Sequence, residues 1–254
     1  MFIRLVHNEL LKFHYRKLLY GFALFLIAAI GIIGLVNRFM LGWTDSTQSG
    51  AGFAHTCFSV LGLFIMVFSA ALSAQTIADE FKEGTIKQLL IRPPGRSMIL
   101  LSKYAAVIIV MLSLLIVTLL ISAALGAILF RGHSDFSWLA VVKVYAYRIP
   151  EYLFFITLSL LTGTLVRSPV LAITLAIVTN FMGQTLTAAL SKYSWSKLLI
   201  FGNLSLQSYD SDPLIRGLGT TPFTGILPSA AIILIYMALL LYTAAAVFRK
   251  TDIN

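Results

Sequence analysis

Between two long apolar runs lies a charged segment, residues 79–103, whose residue types suit protein docking. It holds five of the 19 Lys and Arg of the chain and three of its ten Asp and Glu. Apolar residues recur within it at helical spacing, and Pro93-Pro94-Gly95 divides it because proline cannot continue a helix. A solvated connector is the alternative, but Ile86, Leu89 and Leu90 would then face water. The pattern therefore predicts a short amphipathic helix that docks against a water-soluble partner.

The sequence contains no recognisable catalytic or metal-binding pattern. Cys57 is the single cysteine, and the four histidines lie in separate segments, which argues against a zinc site. No G-x-x-x-x-G-K-[ST] loop is present to hold nucleotide phosphates, and no Ser-His-Asp or paired-carboxylate arrangement is apparent. We therefore expect a protein that is not an enzyme and binds no cofactor itself. If it drives uphill transport, the energy comes from another chain.

Composition and hydropathy indicate an all-α polytopic membrane protein. The chain is 59% hydrophobic and only 11% charged, with a mean hydropathy of +0.91. A membrane span needs about 17–25 mostly apolar residues. The net charge of +9 is better explained by basic residues that flank spans than by nucleic-acid binding. The six predicted spans are residues 18–36, 53–78, 104–130, 152–166, 170–190 and 226–248, and the fourth either begins at residue 152 or before Pro150.

The distribution of Lys and Arg predicts the orientation. Twelve of them fall on the side of the membrane that holds both termini and the charged segment, and seven fall on the other side. Because cytoplasmic loops carry the excess of basic residues, both termini are predicted to be cytoplasmic.

Two segments outside the spans are predicted to contact the membrane. In residues 1–17, the side chains Ile3, Val6, Leu10 and Phe13 follow a helical 3,4,3 spacing among basic residues, which is typical of an interface helix. This helix is either a topology anchor or also a contact for a cytoplasmic partner. Residues 191–225 are too apolar and aromatic for a free loop, so we expect a hairpin that enters the outer leaflet.

Polar residues inside the spans are few. Asn180, Gln184 and Thr187 share one face of the fifth span, at i, i+4 and i+7. They either bond to neighbouring helices or line a substrate path. No predicted span carries a charged residue at its centre, which argues against an ion-coupled carrier.

The charged segment resembles the corresponding part of the permease subunits of ABC-2 type transporters, exporters whose permease and ATPase are separate chains. The similarity lies in E-F-K-E-G-T-I-K-Q-L-L at residues 80–90, in Arg92-Pro93, and in R-S-M-I-L-L-S-K at residues 96–103. Glu-Leu-x-Lys at residues 9–12 and the general plan of six spans extend the resemblance over a single domain, residues 1–254.

The resemblance implies a coupling helix between spans two and three that sits in a groove on the ATPase. The implied coupling residues are Glu80, Glu83, Gly84, Thr85, Leu89, Leu90 and Arg96. The implied interface-helix residues are Ile3, Val6, Glu9, Leu10, Lys12 and Phe13. ATP and Mg²⁺ would be bound by two copies of the ATPase, and a second permease, identical or similar, would complete the pathway.

The expected function is export of amphipathic or lipophilic cargo, such as antimicrobial peptides or antibiotics, from a bacterial cell membrane. Sodium or small-solute export by the same architecture is an alternative. A secondary carrier would show a membrane-buried acid or an internal repeat. A scaffold that recruits a cytoplasmic protein explains the charged segment equally well, although not the apolar hairpin.

Overall fold

In a computed structural model, the chain forms a bundle of long helices. The structure describes residues 2–40, 49–82, 95–130, 132, 136–166, 168–190, 192–216 and 221–250. Six helices in these ranges are long and apolar enough to cross a membrane, as the hydropathy predicts. The helices are α1 (Phe2–Tyr15), α2 (Leu18–Leu35), α3 (Gly50–Lys82), α4 (Arg96–Leu129), α5 (Trp138–Val166), α6 (Pro169–Leu190), α7 (Ile200–Asn203), α8 (Pro213–Arg216) and α9 (Ile226–Lys250). A π-helical stretch, Val36–Met40, continues α2, and two 3-10 turns, Ser194–Leu198 and Leu206–Tyr209, flank α7.

The centre of the bundle is formed by α3 and α5. In each of them 61% of the most apolar window is buried, compared with 17–18% in α2, α6 and α9. Side chains also bond across the central helices: Ser73 donates to the carbonyl of Ile156 at 2.8 Å, and the hydroxyls of Tyr104 and Thr157 lie 2.9 Å apart. The peripheral helices therefore present most of their apolar surface to the surroundings, as expected in lipid.

Small residues allow the central helices to approach closely. A Cβ atom on Gly126 of α4 would lie 2.7 Å from the carbonyl oxygen of Gly50, and one on Gly163 of α5 would lie 3.0 Å from the backbone of Ala74. Any larger residue would push the two backbones apart.

Consecutive long helices run in opposite directions, which gives the bundle two ends. The N-terminal end holds α1, the last turn of α3 and the first turns of α4. The opposite end holds Gly50, which approaches Gly126, and the first turns of α5, which contact Asp210. At the N-terminal end, Lys17 adopts a left-handed backbone with φ of 52°, which turns the chain from α1 into α2.

The fourth long helix differs from the prediction. The apolar run predicted a span over residues 152–166, with a start before Pro150 as the alternative, and α5 begins at Trp138 and continues through Pro150. Pro150 leaves the carbonyl of Ala146 without its helical donor, yet packing against α3 keeps the helix continuous. Consequently Lys143, Arg148 and Glu151, predicted to lie before or beside the span, are part of the helix.

Candidate functional site

The most heavily charged site in the described part of the chain lies at the N-terminal end of the bundle, around Lys103. This lysine is 1% exposed. Its ammonium donates to Glu80 Oε1 at 2.6 Å, to Glu9 Oε2 at 3.1 Å and to the carbonyl of Thr76 at 3.1 Å. One buried cation therefore joins α1, α3 and α4.

A second lysine completes this ion cluster, which consists of Glu9, Lys12, Glu80 and Lys103. The half-exposed Lys12 donates to Glu9 Oε1 at 2.8 Å and to Glu80 Oε1 at 3.2 Å. The negative charges of the two carboxylates therefore equal the positive charges of the two ammonium groups. Beside the cluster, Arg16 of α1 forms an ion pair with Asp79 of α3.

The local sequence explains why the cluster assembles. Val6, Glu9 and Phe13 lie on one face of α1, and all three are buried. Val6 and Phe13 belong to the hydrophobic core, so their burial brings the Glu9 carboxylate to Lys103. In α3, Glu80 lies two residues before the end of the helix, and Lys103 lies in the second turn of α4.

The electrostatics of the cluster favour the charged form of both α1 residues. Burial alone would raise the pKa of Glu9, but Lys103 and Lys12 outweigh it and hold this pKa below its ordinary value of 4.5. Burial likewise opposes the charged form of Lys12, yet Glu9 and Glu80 raise its pKa above 10.5. Both residues are therefore charged at neutral pH, and the cluster persists as a network of ion pairs.

The ion cluster joins the two ends of the charged segment, residues 79–103. Glu80 lies at its start and Lys103 at its end, so their 2.6 Å contact ties α3 and α4 together. The contacts from Glu9 and Lys12 then attach α1 to the same point. Removing one partner from a buried ion pair costs about 3–5 kcal/mol. A displacement of the segment would therefore be transmitted to α1.

The structure describes only part of the predicted coupling surface. Glu80 is buried, and its carboxylate contacts lysines of the same chain. Arg96 begins α4. The side chain of Arg96 and the residues Glu83, Gly84, Thr85, Leu89 and Leu90 lie outside the described residues. Contact of these residues with an ATPase stays a prediction.

The predicted interface-helix residues divide between two environments. Val6, Glu9 and Phe13 are buried against the bundle, Leu10 packs at the edge of the core, Lys12 is half exposed, and Ile3 is 81% exposed. The face that packs is therefore rotated from the predicted Ile3, Val6, Leu10, Phe13 stripe toward Glu9. The sequence predicted Glu9 as an interface-helix residue but not its contact with Lys103, although the spacing of Glu9 from Val6 and Phe13 places it on their face.

Two of the three candidates for a substrate path are described. Asn180 is partly buried, and its amide lies 3.6 Å from the sulfur of Met66, a weak acceptor. Thr187 donates to the carbonyl of Gly183 within its own helix. The side chain of Gln184 lies outside the described residues. Through Asn180, this face of α6 therefore makes a weak hydrogen bond with α3.

An apolar groove lies beside Asn180. It has a volume of about 440 Å³ and runs between α2, α3 and α6, with Phe22, Phe68, Ile177 and Phe181 among its lining residues. The rings of Phe22 and Phe68 stack with centroids 3.8 Å apart. The groove is suited to an apolar helix or an acyl chain.

At the opposite end, residues 192–216 and 221–225 are held by hydrogen bonds. Asn203 is fully buried, and its amide donates to the carbonyls of Lys197 and Leu199, each at 2.8 Å. Its oxygen accepts from the Ser229 hydroxyl at 2.6 Å, and Ser229 in turn lies 2.7 Å from the Tyr209 hydroxyl. This neutral network fastens the segment to the first turn of α9.

A charged contact attaches the same segment to α5. Asp210 accepts hydrogen bonds from Tyr147 at 2.8 Å and Lys143 at 3.2 Å. A hydrogen bond from the amide of Asp212, together with those from Tyr147 and Lys143, holds the pKa of Asp210 below its ordinary value. The attachment therefore persists at neutral pH.

Sequence reasoning missed the ion pair between Arg148 and Glu151, which lie 2.6 Å apart within α5. Glu151 is buried. The signal was present, because the two residues are spaced i, i+3, but Pro150 and the neighbouring charges placed them outside the predicted span. The helix α5 therefore carries an ion pair just before the predicted span of residues 152–166.

Comparison with known proteins places the chain among membrane proteins. It is 32% identical over 216 residues to "Uncharacterized protein YhcI" of Bacillus subtilis (strain 168), covering 77% of this chain and 66% of that protein, just under two thirds of its length. It is 23% identical over 200 residues to "Uncharacterized membrane protein YdbK" of the same organism, covering 76% of this chain and 80% of that protein. Residues 17–254 match the model described as "Protein of unknown function (DUF2705)", so the chain belongs to the DUF2705 family.

Proposed function

We propose that this chain is the permease subunit of an ATP-driven exporter of the ABC-2 type, with ATP hydrolysis in a separate protein. The observation that carries the proposal is the ion cluster of Glu9, Lys12, Glu80 and Lys103. It fixes both ends of the charged segment to the N-terminal helix, which is what a segment that receives force from outside the membrane requires. The resemblance of residues 80–103 to a coupling helix agrees with this arrangement.

In this proposal the residues have different roles. Glu80 and Lys103 form the base that transmits movement, while Gly84, Thr85, Leu89 and Leu90 contact the ATPase. Glu83 and Arg96 lie at the edges of that contact. Closure of two ATPases around ATP would move the segment, and the ion cluster would move α1 with it.

The orientation follows from the Lys and Arg distribution, which places both termini in the cytoplasm of a bacterial cell. The charged segment then faces the compartment that contains ATP. Residues 192–225 lie at the outer end, where they re-enter the membrane and close the pathway.

A second permease is expected because one bundle of six spans is too small to form a pathway alone. The groove between α2, α3 and α6 is the proposed place of contact, since Phe181 is 60% exposed beside it. Asn180 lies at its edge with only a weak sulfur contact, and an amide at membrane depth favours a partner across an interface.

The proposed cargo is an amphipathic or lipophilic compound, such as an antimicrobial peptide or an antibiotic. The described apolar groove supports a lipophilic cargo or a helix. Sodium or another small solute is the alternative cargo for the same architecture. A path along Asn180, Gln184 and Thr187 stays a prediction.

One observation favours a second function, that of a secondary carrier. Glu151 and Arg148 are ionisable residues inside a long apolar helix, and such residues often mark ion or proton pathways. A carrier of this kind needs no ATPase. A scaffold for a cytoplasmic protein would use the charged segment but would not require Glu151.

Affinity purification of the detergent-solubilised chain from its native membrane, followed by mass spectrometry, tests these functions. The proposal predicts recovery of a soluble protein with a nucleotide-binding phosphate loop, and its loss by at least tenfold from Gly84→Trp. The matched control is Gly225→Trp, since Gly225 lies at the opposite end and a Cβ atom added to it would have open space around it. Recovery of the chain without any ATPase, under conditions that preserve other membrane complexes, would support a carrier or scaffold.

A further inference from the structure

A short helical turn at the opposite end of the bundle displays an unusual set of exposed side chains. In the turn Ser194–Leu198, Trp195 is 52% exposed and Leu198 is 59% exposed. Tyr193, which precedes the turn, is 57% exposed. The rings of Tyr193 and Trp195 stack with centroids 5.9 Å apart. Lys192 and Lys197 are exposed on the same turn, and neither forms an ion pair with a described residue. We call these residues 192–198 the aromatic platform.

Hydrogen bonds from neighbouring side chains fix the backbone of the aromatic platform. Ser196 is buried, and Asn203 donates to the carbonyls of Lys197 and Leu199. The Tyr236 hydroxyl of α9 donates to the carbonyl of Leu198 at 3.3 Å. The exposed rings are therefore presented by a fixed backbone, which reduces the conformational entropy lost when they bind.

The platform lies beside the long helices rather than beyond their ends. Tyr236 is fourteen residues from the end of α9 at Lys250, and Phe201 packs on Gly183, fourteen residues from the start of α6 at Pro169. Each position is about 21 Å from the N-terminal end at 1.5 Å per residue. Since the hydrocarbon layer is about 30 Å thick, these contacts lie in the half of the layer opposite the N-terminal end, about 9 Å short of its far boundary with the headgroups.

We propose that the aromatic platform binds anionic phospholipid of the leaflet opposite the N-terminal helix. Trp and Tyr favour the boundary between headgroups and hydrocarbon because each ring has an apolar body and a polar tip. Lys192 and Lys197, without acidic partners among the described residues, complement the lipid phosphate and its net negative charge. Leu198 contacts the acyl chains. This binding site is independent of whether the chain works with an ATPase.

Fluorescence of Trp195 tests the proposal on the full-length chain. The double variant Trp43→Phe, Trp138→Phe leaves Trp195 as the single tryptophan. The protein is placed in lipid nanodiscs with equal amounts of phosphatidylglycerol and phosphatidylcholine, and one of the two lipids carries bromine near the headgroup end of its acyl chains. We expect brominated phosphatidylglycerol to quench at least twofold more strongly than brominated phosphatidylcholine.

The control variant removes the charge and keeps the rings. Lys192→Gln with Lys197→Gln changes two exposed side chains and leaves the backbone contacts of Asn203 intact, so folding is expected to be preserved. It should make the two brominated lipids equal quenchers. Equal quenching with both lysines present, or quenching by aqueous iodide with none by either lipid, would overturn the proposal. Cross-linking of Trp195→Cys to a second copy in place of lipid quenching would also overturn it.

Discussion

The two ends of this bundle are fastened in chemically different ways. At the N-terminal end, carboxylates from α1 and α3 converge on the buried Lys103 of α4, and Lys12 of α1 pairs with both carboxylates. At the opposite end, the described residues 192–216 are attached mainly by neutral hydrogen bonds around Asn203. Close ion pairs are strong but depend on each partner keeping its charge, whereas neutral bonds depend on geometry alone.

The difference bears on function. An ion cluster that joins three helices makes them move together, and a change of charge releases all of them. The neutral network instead holds a surface segment in one place against α9. We infer that the N-terminal end transmits movement and that the opposite end provides a fixed closure.

Lys103→Met should have the largest effect. It leaves Glu9 and Glu80 buried with Lys12 as their remaining lysine partner in the cluster, so we expect a loss of about 3–5 kcal/mol of stability. Thermal unfolding of the purified protein in detergent measures this loss. Lys12→Met is the matched control, and it should cost no more than about 1 kcal/mol because Lys12 is half exposed. Equal effects of the two variants would show that Lys103 is not the centre of the cluster.

Asn203→Ala should have the next largest effect, at the opposite end. The change leaves the carbonyls of Lys197 and Leu199 and the hydroxyl of Ser229 with fewer partners, and we expect a loss of about 2–3 kcal/mol. Limited proteolysis of residues 192–225 should accelerate, while α1 stays protected. Ser229→Ala, which removes a hydroxyl and leaves the amide bonds of Asn203 intact, should have a smaller effect on the same assay. Accelerated cleavage near α1 would contradict the independence of the two ends.

Gly183→Ala should disturb the packing between the opposite-end segment and α6. A Cβ atom on Gly183 would lie 2.3 Å from the ring of Phe201, so the ring has to move, at a cost of about 1–3 kcal/mol. Phe201→Ala removes the obstacle. In a double-mutant cycle, Gly183→Ala should therefore be far less harmful in the Phe201→Ala background. Additive losses would mean that the two residues do not contact each other.

Sequence alone could predict the long helices but not the two attachments. Runs such as residues 104–130 are apolar enough to identify spans without any tertiary information. The sequence could not show where α5 begins, because Arg148 and Pro150 interrupt its apolar pattern. The helix nevertheless continues through both residues, since it packs against α3. Glu9 and Lys103 are 94 residues apart in the chain, so only the fold brings them together. Likewise, nothing in the local sequence of Asn203 indicates that Ser229 is its partner.

Lowering the pH should produce the smallest effect, and comparison with Glu9→Gln isolates the contribution of Glu9. The pKa of Glu9 is lowered in the folded protein, so Glu9 contributes stability above its ordinary pKa of 4.5 and loses it as the pH falls through the lower folded value. Wild-type protein should therefore lose more stability than Glu9→Gln between neutral pH and pH about 4. Thermal unfolding at both pH values measures the difference. Identical losses in the two proteins would show that Glu9 does not stabilise the fold through its charge.

Hydrogen exchange of α1 in the complex with the ATPase tests the central claim most directly. Amides of Phe2–Tyr15 are compared by mass spectrometry with and without nucleotide trapped on the ATPase. The account predicts a severalfold change in their exchange rates in the wild-type complex, and none when Gly84→Trp membranes are treated in the same way. Unchanged exchange of α1 in a nucleotide-trapped wild-type complex would contradict the claim that the ion cluster transmits movement of the charged segment.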